Sequence, residues 1–508
     1  MNYPNMVKIE EINNQNPWWK YGVNYGQYDA DLTRLQNQKV KVRRNRVAVE
    51  KNNICIIRGC RQIGKTTYMK WLIGRMLSDG VDPRRIIYLA VDRFFTSRRE
   101  LRRALVNYFL KRNRDAEEVY IFLDEITSLE NWNLELKYLY DSGSIQKAHV
   151  FVTGSSGEAL RRAGEQLPGR GLEGNEYYMK PLSFREFIFQ VNEYFASHSE
   201  SNELRTSLSL LREKLKNVKV DLNEDLSEIT DKIDIILPFK SELEYLFEHY
   251  LSCGGFPIAI NQYIENLLFS KKTIMFEPDL VDRFARIILS EISRHGKNEI
   301  LTRRILKEII DRYGNRFSYT KLAHDLSISH VTASEYLDFL EQSFILSVIY
   351  PYDFGKKELR YKANKKVYFQ DPFIFYSLQS FLSGRDINEI IKETLENEEL
   401  LSKIVESVTS SHLLMSFEIP YLKEASTFLW FYYDSKGREL DYVVGKNDGY
   451  LGIEVKYQND VSPRDIVRVP EIDTYIILSK EDYIETENTL VTPAELFLSL
   501  LEKSKSTL

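Results

Sequence analysis

Gly59-Cys60-Arg61-Gln62-Ile63-Gly64-Lys65-Thr66 is the stretch on which the fold turns. It satisfies G-x-x-x-x-G-K-[ST] at every fixed position. An apolar run at residues 54–58 precedes it and reads as a strand. The pattern over Lys65–Ser78 reads as a helix. In that setting glycines let the backbone wrap closely, so its N–H groups face phosphate oxygens. The helix N-terminus adds positive potential. Gly59, Cys60, Arg61, Gln62, Ile63, Gly64, Lys65, Thr66 and Thr67 are therefore the expected cradle of a nucleotide. Lys65 is expected at the β- and γ-phosphates, and the Thr66 hydroxyl in a Mg²⁺ shell.

Residues 86–91, 119–123 and 150–153 read as further strands. Between them lie helical patterns at 100–111 and Trp132–Asp141. Strands alternating with helices predict a parallel sheet covered on both faces, hence an α/β fold. The third strand ends in Leu123-Asp124-Glu125. An open α/β sheet binds ligands at the carboxyl edge of its strands. Asp124 is thus the candidate Mg²⁺ ligand, and Glu125 the candidate general base for water.

The chain has 508 residues, which as a soft prior suggests about three domains. Apolar residues make up 43% and charged residues 28%, which reads as soluble and globular rather than disordered. The net charge of −5 conceals an asymmetry. Between Arg34 and Arg114 stand 22 basic residues against five acidic ones. That surplus calls for a polyanion, an acidic protein face or the chain's own acidic remainder. Three cysteines (Cys55, Cys60, Cys253), without metal spacing, point to a reducing compartment. The start, MNYPNMVKIEEINNQN, lacks an apolar signal core, and no uncharged apolar run approaches membrane length. A cytoplasmic protein without membrane contact is expected.

Residues 1–50 read as an extension with an aromatic start, Pro17-Trp18-Trp19, and a basic end. Ser183-Phe184-Arg185-Glu186 is a capping-box pattern. Leu204, Leu208, Leu211 and Leu215 recur at helical spacing, as an interaction arm or as core packing. Residues 319–337 read as two short helices about a tight turn. Leu322 and Leu326 mark the first, Ile328 fills the turn, and Val331, Tyr336 and Leu337 line the second. A β-like run at 344–350 follows as a wing. Such a pair would turn Ser329, His330, Thr332 and Ala333 toward a DNA groove. Base edges, however, favour Arg, Lys, Asn or Gln, and Glu335 would repel phosphate.

The motifs together resemble a family of archaeal and bacterial AAA-type ATPases related to the AAA+ and STAND classes. The residues that carry the resemblance are Gly59–Thr66, Leu123-Asp124-Glu125-Ile126, Trp132, Thr153-Gly154-Ser155-Ser156 and Pro168-Gly169-Arg170. They continue with Pro181-Leu182-Ser183-Phe184-Arg185-Glu186-Phe187 and Gly254-Gly255-Phe256-Pro257. The resemblance covers nearly all of the chain from about residue 50 onward. It implies that Thr153, or Ser155, senses the γ-phosphate. It implies that Arg170, with Arg161 and Arg162 as rivals, is a finger for transition-state charge. The Gly254-Gly255 turn would join the ATPase to its lid.

Toward the C-terminus, strand-like runs at 427–433, 440–444 and Tyr450–Val455 follow a helical pattern around Glu406. Asp441 and Glu454-Val455-Lys456 lie 13 residues apart. The arrangement resembles the PD-(D/E)xK nuclease superfamily. There Asp441 and Glu454 would bind Mg²⁺, Lys456 would orient water and Glu406 would support the site. The expected organisation is an extension at 1–50, a P-loop core at 51–195 and a helical insertion with lid connection at 196–265. A helical, winged region at 266–350, a connector at 351–395 and a nuclease-like α/β domain at 396–508 complete it.

Two functions fit. One is a Mg²⁺-dependent ATPase whose nucleotide state moves a C-terminal half acting on DNA. The other is a slow nucleotide-dependent switch or scaffold, assembling as a homo-oligomer or with protein partners, whose nuclease fold is inert.

Overall fold

The computed structural model describes residues 9–44, 53–154, 176–417 and 427–502. Two compact units divide the chain, Met1–Lys180 and Pro181–Leu508.

The first unit is built on five parallel strands: β1 (Asn53–Arg58), β2 (Ile86–Ala90), β3 (Val119–Asp124), β4 (Ala148–Thr153) and β5 (Glu176–Tyr178). Their order across the sheet is β2-β3-β4-β1-β5. β1, β2 and β4 are buried almost throughout, as strands covered by helices on both faces must be. Ile54, Ile56, Leu89, Ile121, Val150 and Val152 form the centre of this core. The connection after β1 runs to the β2 edge, and the one after β4 runs to the β5 edge. Between these diverging connections, at the carboxyl end of β1, lies the glycine loop.

The N-terminal segment is part of this unit rather than a free extension. Trp18 and Trp19 both donate their indole N–H to the Ile86 carbonyl, at 3.1 and 2.8 Å. Asn16 exchanges two hydrogen bonds with the Tyr88 backbone, and Gln15 accepts from Ala90 N. Part of the basic surplus is neutralised inside the unit. Lys70 pairs with Asp29 and Asp31, and Arg58 with Glu176. Arg102 makes a bidentate pair with buried Glu135 and stacks on Tyr138.

The second unit begins with helices. Ser183 and Glu186 close the expected capping box on Phe184–His198. In the next helix, Asn202–Asn217, Leu208, Leu211 and Leu215 are buried, so the leucine repeat is core packing. Gly254-Gly255 forms the turn between two helices, Lys240–Cys253 and Pro257–Ile264. A Cβ on Gly255 would lie 2.2 Å from the Leu182 carbonyl oxygen, so only glycine fits there. Further helices at Pro278–Arg294 and Glu299–Asp311 lead to Tyr319–Leu326 and His330–Gln342.

This last pair corrects part of the expected pattern. Ser329 caps His330–Gln342, accepting from Thr332 N at 2.9 Å. The inward face then carries Ala333, Tyr336, Leu337 and Leu340, at the i, i+3, i+4, i+7 spacing of a packed helix. Ala333 is 0% exposed and cannot meet a groove, whereas Val331, expected inside, is 64% exposed.

The run at 344–350 forms β6 (Leu346–Ile349). After the short β7 (Tyr352–Asp353) and β8 (Glu358–Leu359) comes β9 (Lys366–Phe369), antiparallel to β6. Three helices follow, the last being Glu398–Ser416. A six-stranded mixed sheet follows, and the helix Ala494–Leu500 comes after its last strand. Its strands are β10 (Leu429–Tyr433), β11 (Glu439–Gly445), β12 (Tyr450–Val455), β13 (Thr474–Ser479), β14 (Ile484–Glu485) and β15 (Thr489–Pro493). Their order is β10-β11-β12-β13-β15-β14. The whole chain is α/β.

Candidate nucleotide site and a carboxylate cluster

The loop from Gly59 to Gly64 has the backbone its sequence demands. Gly59 and Gly64 adopt positive φ, +152° and +99°. A Cβ on Gly59 would come within 2.3 Å of the Met179 carbonyl oxygen. Lys65 is buried and folded back over its own loop. Its ammonium donates to the carbonyls of Gly59 (2.9 Å) and Cys60 (3.3 Å). The phosphate-seeking cation therefore already sits within the cradle.

Asp124, at the end of β3, collects three hydroxyls. Thr66 donates to Oδ2 at 2.7 Å, Tyr88 to the same oxygen at 2.6 Å, and Thr153 to Oδ1 at 2.5 Å. Strand register explains the gathering. β3 lies between β2 and β4, so Asp124 is flanked by Thr153 at the end of β4 and by β2, where Ala90 pairs with it and Tyr88 stands two residues before on the same face. Burial, and then the charge of Asp124, hold the Tyr88 phenol well above its ordinary range. The Thr153 hydroxyl also accepts from Glu125 N at 2.9 Å. Glu125 itself sits at φ +52°, a left-handed conformation uncommon for a non-glycine residue. Asp92, just after β2, is raised above the usual carboxylate range by partial burial and by the charges of Glu125 and Asp124.

Lys65, Thr66, Asp124, Glu125 and Thr153 are thus brought to one sheet edge. Tyr88 and Asp92 join them, although no sequence motif singles them out. Ser155, Arg161, Arg162 and Arg170 lie outside the described residues.

The second cluster lies wholly in the second unit. Asp441 (β11) and Glu454 (β12) sit side by side, and Asp441 N donates to Glu454 Oε2 at 3.2 Å. Lys456 pairs with Glu454 Oε1 at 2.7 Å. Glu406 comes from the helix Glu398–Ser416. Glu406, Glu439 and Asp441 place carboxylate oxygens within 4.8 Å of one another. Between them lies a cation that the sequence motif does not contain. Lys366, at the start of β9, pairs with Glu406 Oε1 at 2.6 Å, with Asp441 Oδ1 at 2.7 Å and with Glu439 Oε1.

The charges interact strongly. Burial would raise Asp441, but the Lys366 ammonium outweighs it and holds Asp441 below the usual range. Burial and the Asp441 charge push Glu406 up to about 7 and Glu454 up to about 8. Burial would lower Lys366, but its three carboxylate partners raise it well above the ordinary lysine range.

Comparison with known proteins bears on the segment that holds the first cluster. Residues 51–188 match a family model described as an AAA domain. The chain therefore carries an AAA-type P-loop domain. Residues 244–386 and 402–495 each match a domain of unknown function. Two uncharacterized proteins of Methanocaldococcus jannaschii are each 25% identical, over 69% and 67% of this chain. The aligned part spans 66% of the length of each. An uncharacterized Haemophilus influenzae protein is 25% identical over 63% of this chain and 67% of its own. Among solved structures, a Thermotoga maritima RuvB variant matches 67% of this chain and 89% of its own, at 16% identity and a TM-score of 0.27. A katanin chain matches 42% of this chain and 70% of its own, at 12% identity and a TM-score of 0.20. No helix among the described residues is long and apolar enough to cross a membrane.

Proposed function

We propose that this chain binds ATP with Mg²⁺ and hydrolyses it at the carboxyl ends of β1 and β3. The observation that carries the reading is Asp124, held between the hydroxyls of Thr66 and Thr153, with Glu125 following it. The oxygens of Thr66 and Asp124 fit a hard divalent cation and would hold Mg²⁺. Bound there, the ion would neutralise charge on the phosphate oxygens.

The chain's own residues supply the rest. The glycine loop presents backbone N–H groups to the phosphates. Lys65 exchanges the Gly59 and Cys60 carbonyls for phosphate oxygens, a trade of neutral acceptors for charged ones. Glu125 orients and polarises the attacking water. Thr153 bridges Asp124 to the Glu125 backbone, so a change at the metal ligand reaches the base directly. Arg170 is the finger that the resemblance suggests.

Lys65→Ala should abolish turnover in a phosphate-release assay. Glu125→Gln should keep ATP affinity within about threefold while lowering turnover at least about 100-fold, the scale of general-base catalysis. Wild-type turnover in either variant would refute the assignment.

For the C-terminal unit, the scaffold reading is favoured over action on DNA. The specific observation is the cation already seated among the carboxylates that a nuclease would use. Residues 330–341 of the helix His330–Gln342, with exposed Val331 and the Lys297-paired Glu335, also carry no Arg, Lys, Asn or Gln. Under this reading ATP drives slow, stoichiometric assembly with a second copy or a protein partner. Turnover that rises severalfold with single-stranded, duplex or branched DNA, and falls steeply with salt, would reverse the preference.

A further inference from the structure

The nuclease-like pattern asks for a divalent cation on Asp441 and Glu454, but a lysine ammonium already sits on one oxygen of each. Asp441 Oδ1 is taken by Lys366, and Oδ2 accepts from Val455 N at 2.9 Å. Glu454 Oε1 is taken by Lys456, and Oε2 accepts from Asp441 N. Two of the four oxygens that the motif would offer a metal thus carry a charged ammonium, whereas those of Asp124 carry neutral hydroxyls.

We propose that Lys366 is a resident cation: its ammonium, held by Glu406, Glu439 and Asp441, takes the place of a metal ion and makes this a closed structural centre rather than a nuclease site. Three features carry this. First, the ammonium is enclosed by three carboxylates: it donates to Glu406 Oε1 and Asp441 Oδ1 and forms an ion pair with Glu439 Oε1. Mg²⁺ would need about six oxygen ligands in near-octahedral array. Second, the lysine is fixed. It is 1% exposed at the start of β9, which the β6 pairing holds in register. A lysine is almost never buried this fully unless paired. Third, the neighbouring groups complete the cage. The Tyr368 hydroxyl donates to Glu406 Oε1, and Tyr442 donates to the Glu406 backbone carbonyl at 2.7 Å. Lys366 and Tyr368 stand two apart on one strand, so alternation puts both on the face toward Glu406.

A consequence follows for the chain without its ammonium. Removing it leaves three carboxylates close together with hard oxygen donors, which is what a divalent cation binds. The test uses the full chain without nucleotide and Mn²⁺ as the probe, with binding followed by paramagnetic resonance and calorimetry. Lys366→Met, which keeps the aliphatic stem, should gain one Mn²⁺ equivalent over wild type. The gain should vanish in Lys366→Met combined with Asp441→Asn. In the wild-type background Asp441→Asn should leave Mn²⁺ binding unchanged, and this arm stands even where the lysine variant does not fold. An Asp441-dependent Mn²⁺ site in wild type would overturn the proposal. So would a folded Lys366→Met chain that gains no site.

Discussion

Tyr88 shows how a single side chain can belong to a site without announcing it. In sequence it is one aromatic residue in an apolar strand. Its hydroxyl becomes a partner of Asp124 only because β2 lies beside β3. Tyr88→Phe removes one of three hydroxyl donors from a buried carboxylate. It should lower stability by about 1–3 kcal/mol, as for a hydrogen bond to a charged group, read from denaturant midpoints. Lys65, Thr66, Asp124 and Glu125 are legible in the sequence because their chemistry fixes both residue type and spacing. Lys366 is not, because a lysine opening a short strand has no spacing rule and its partners lie 40, 73 and 75 residues further along the chain.

Among the elements, those set by apolar periodicity and capping are readable: the parallel strands, the Ser183 cap and the leucine helix. The helix His330–Gln342 marks where reading stops. Its existence is plain, but which residue of the first turn faces inward depends on where the Ser329 cap sets the phase. The consequence is measurable. Val331→Ser should change stability by no more than about 0.5 kcal/mol, as for an exposed position. Ala333→Leu should cost about 1–3 kcal/mol by overpacking. Thermal or denaturant melts of the two variants decide the phase.

On the scale of the whole chain, buried titratable groups set how stability responds to pH. Burial pushes the Glu495 carboxyl up to about 8 and lowers His412 and His249 to about 4. Between the unfolded carboxyl value of 4.5 and about 8, folded Glu495 holds a proton that the unfolded chain has lost, so stability falls as pH rises. The two histidines act oppositely: between 6.5 and about 4 the unfolded chain takes up protons that the folded chain refuses, so stability falls as pH drops. Above about 6.5 the histidine contributions are complete and the raised carboxyls, Glu495 with Glu406, Glu454 and Asp371, act alone, so denaturant midpoints should fall from there to about pH 8. Glu495→Gln should flatten the alkaline limb, where one group contributes at most about 1.4 kcal/mol per pH unit.

The N-terminal segment gives the sheet of the first unit a boundary. β2 is an edge strand, and an uncovered edge is a template on which another strand can grow. Here Gln15, Asn16, Trp18 and Trp19 supply side-chain donors and acceptors to Ile86, Tyr88 and Ala90, every second residue along that edge. They act as a dummy neighbour, satisfying the hydrogen bonds of a missing strand without being one. The helical turns around residues 15–19 thus close the edge on which the sheet could otherwise grow.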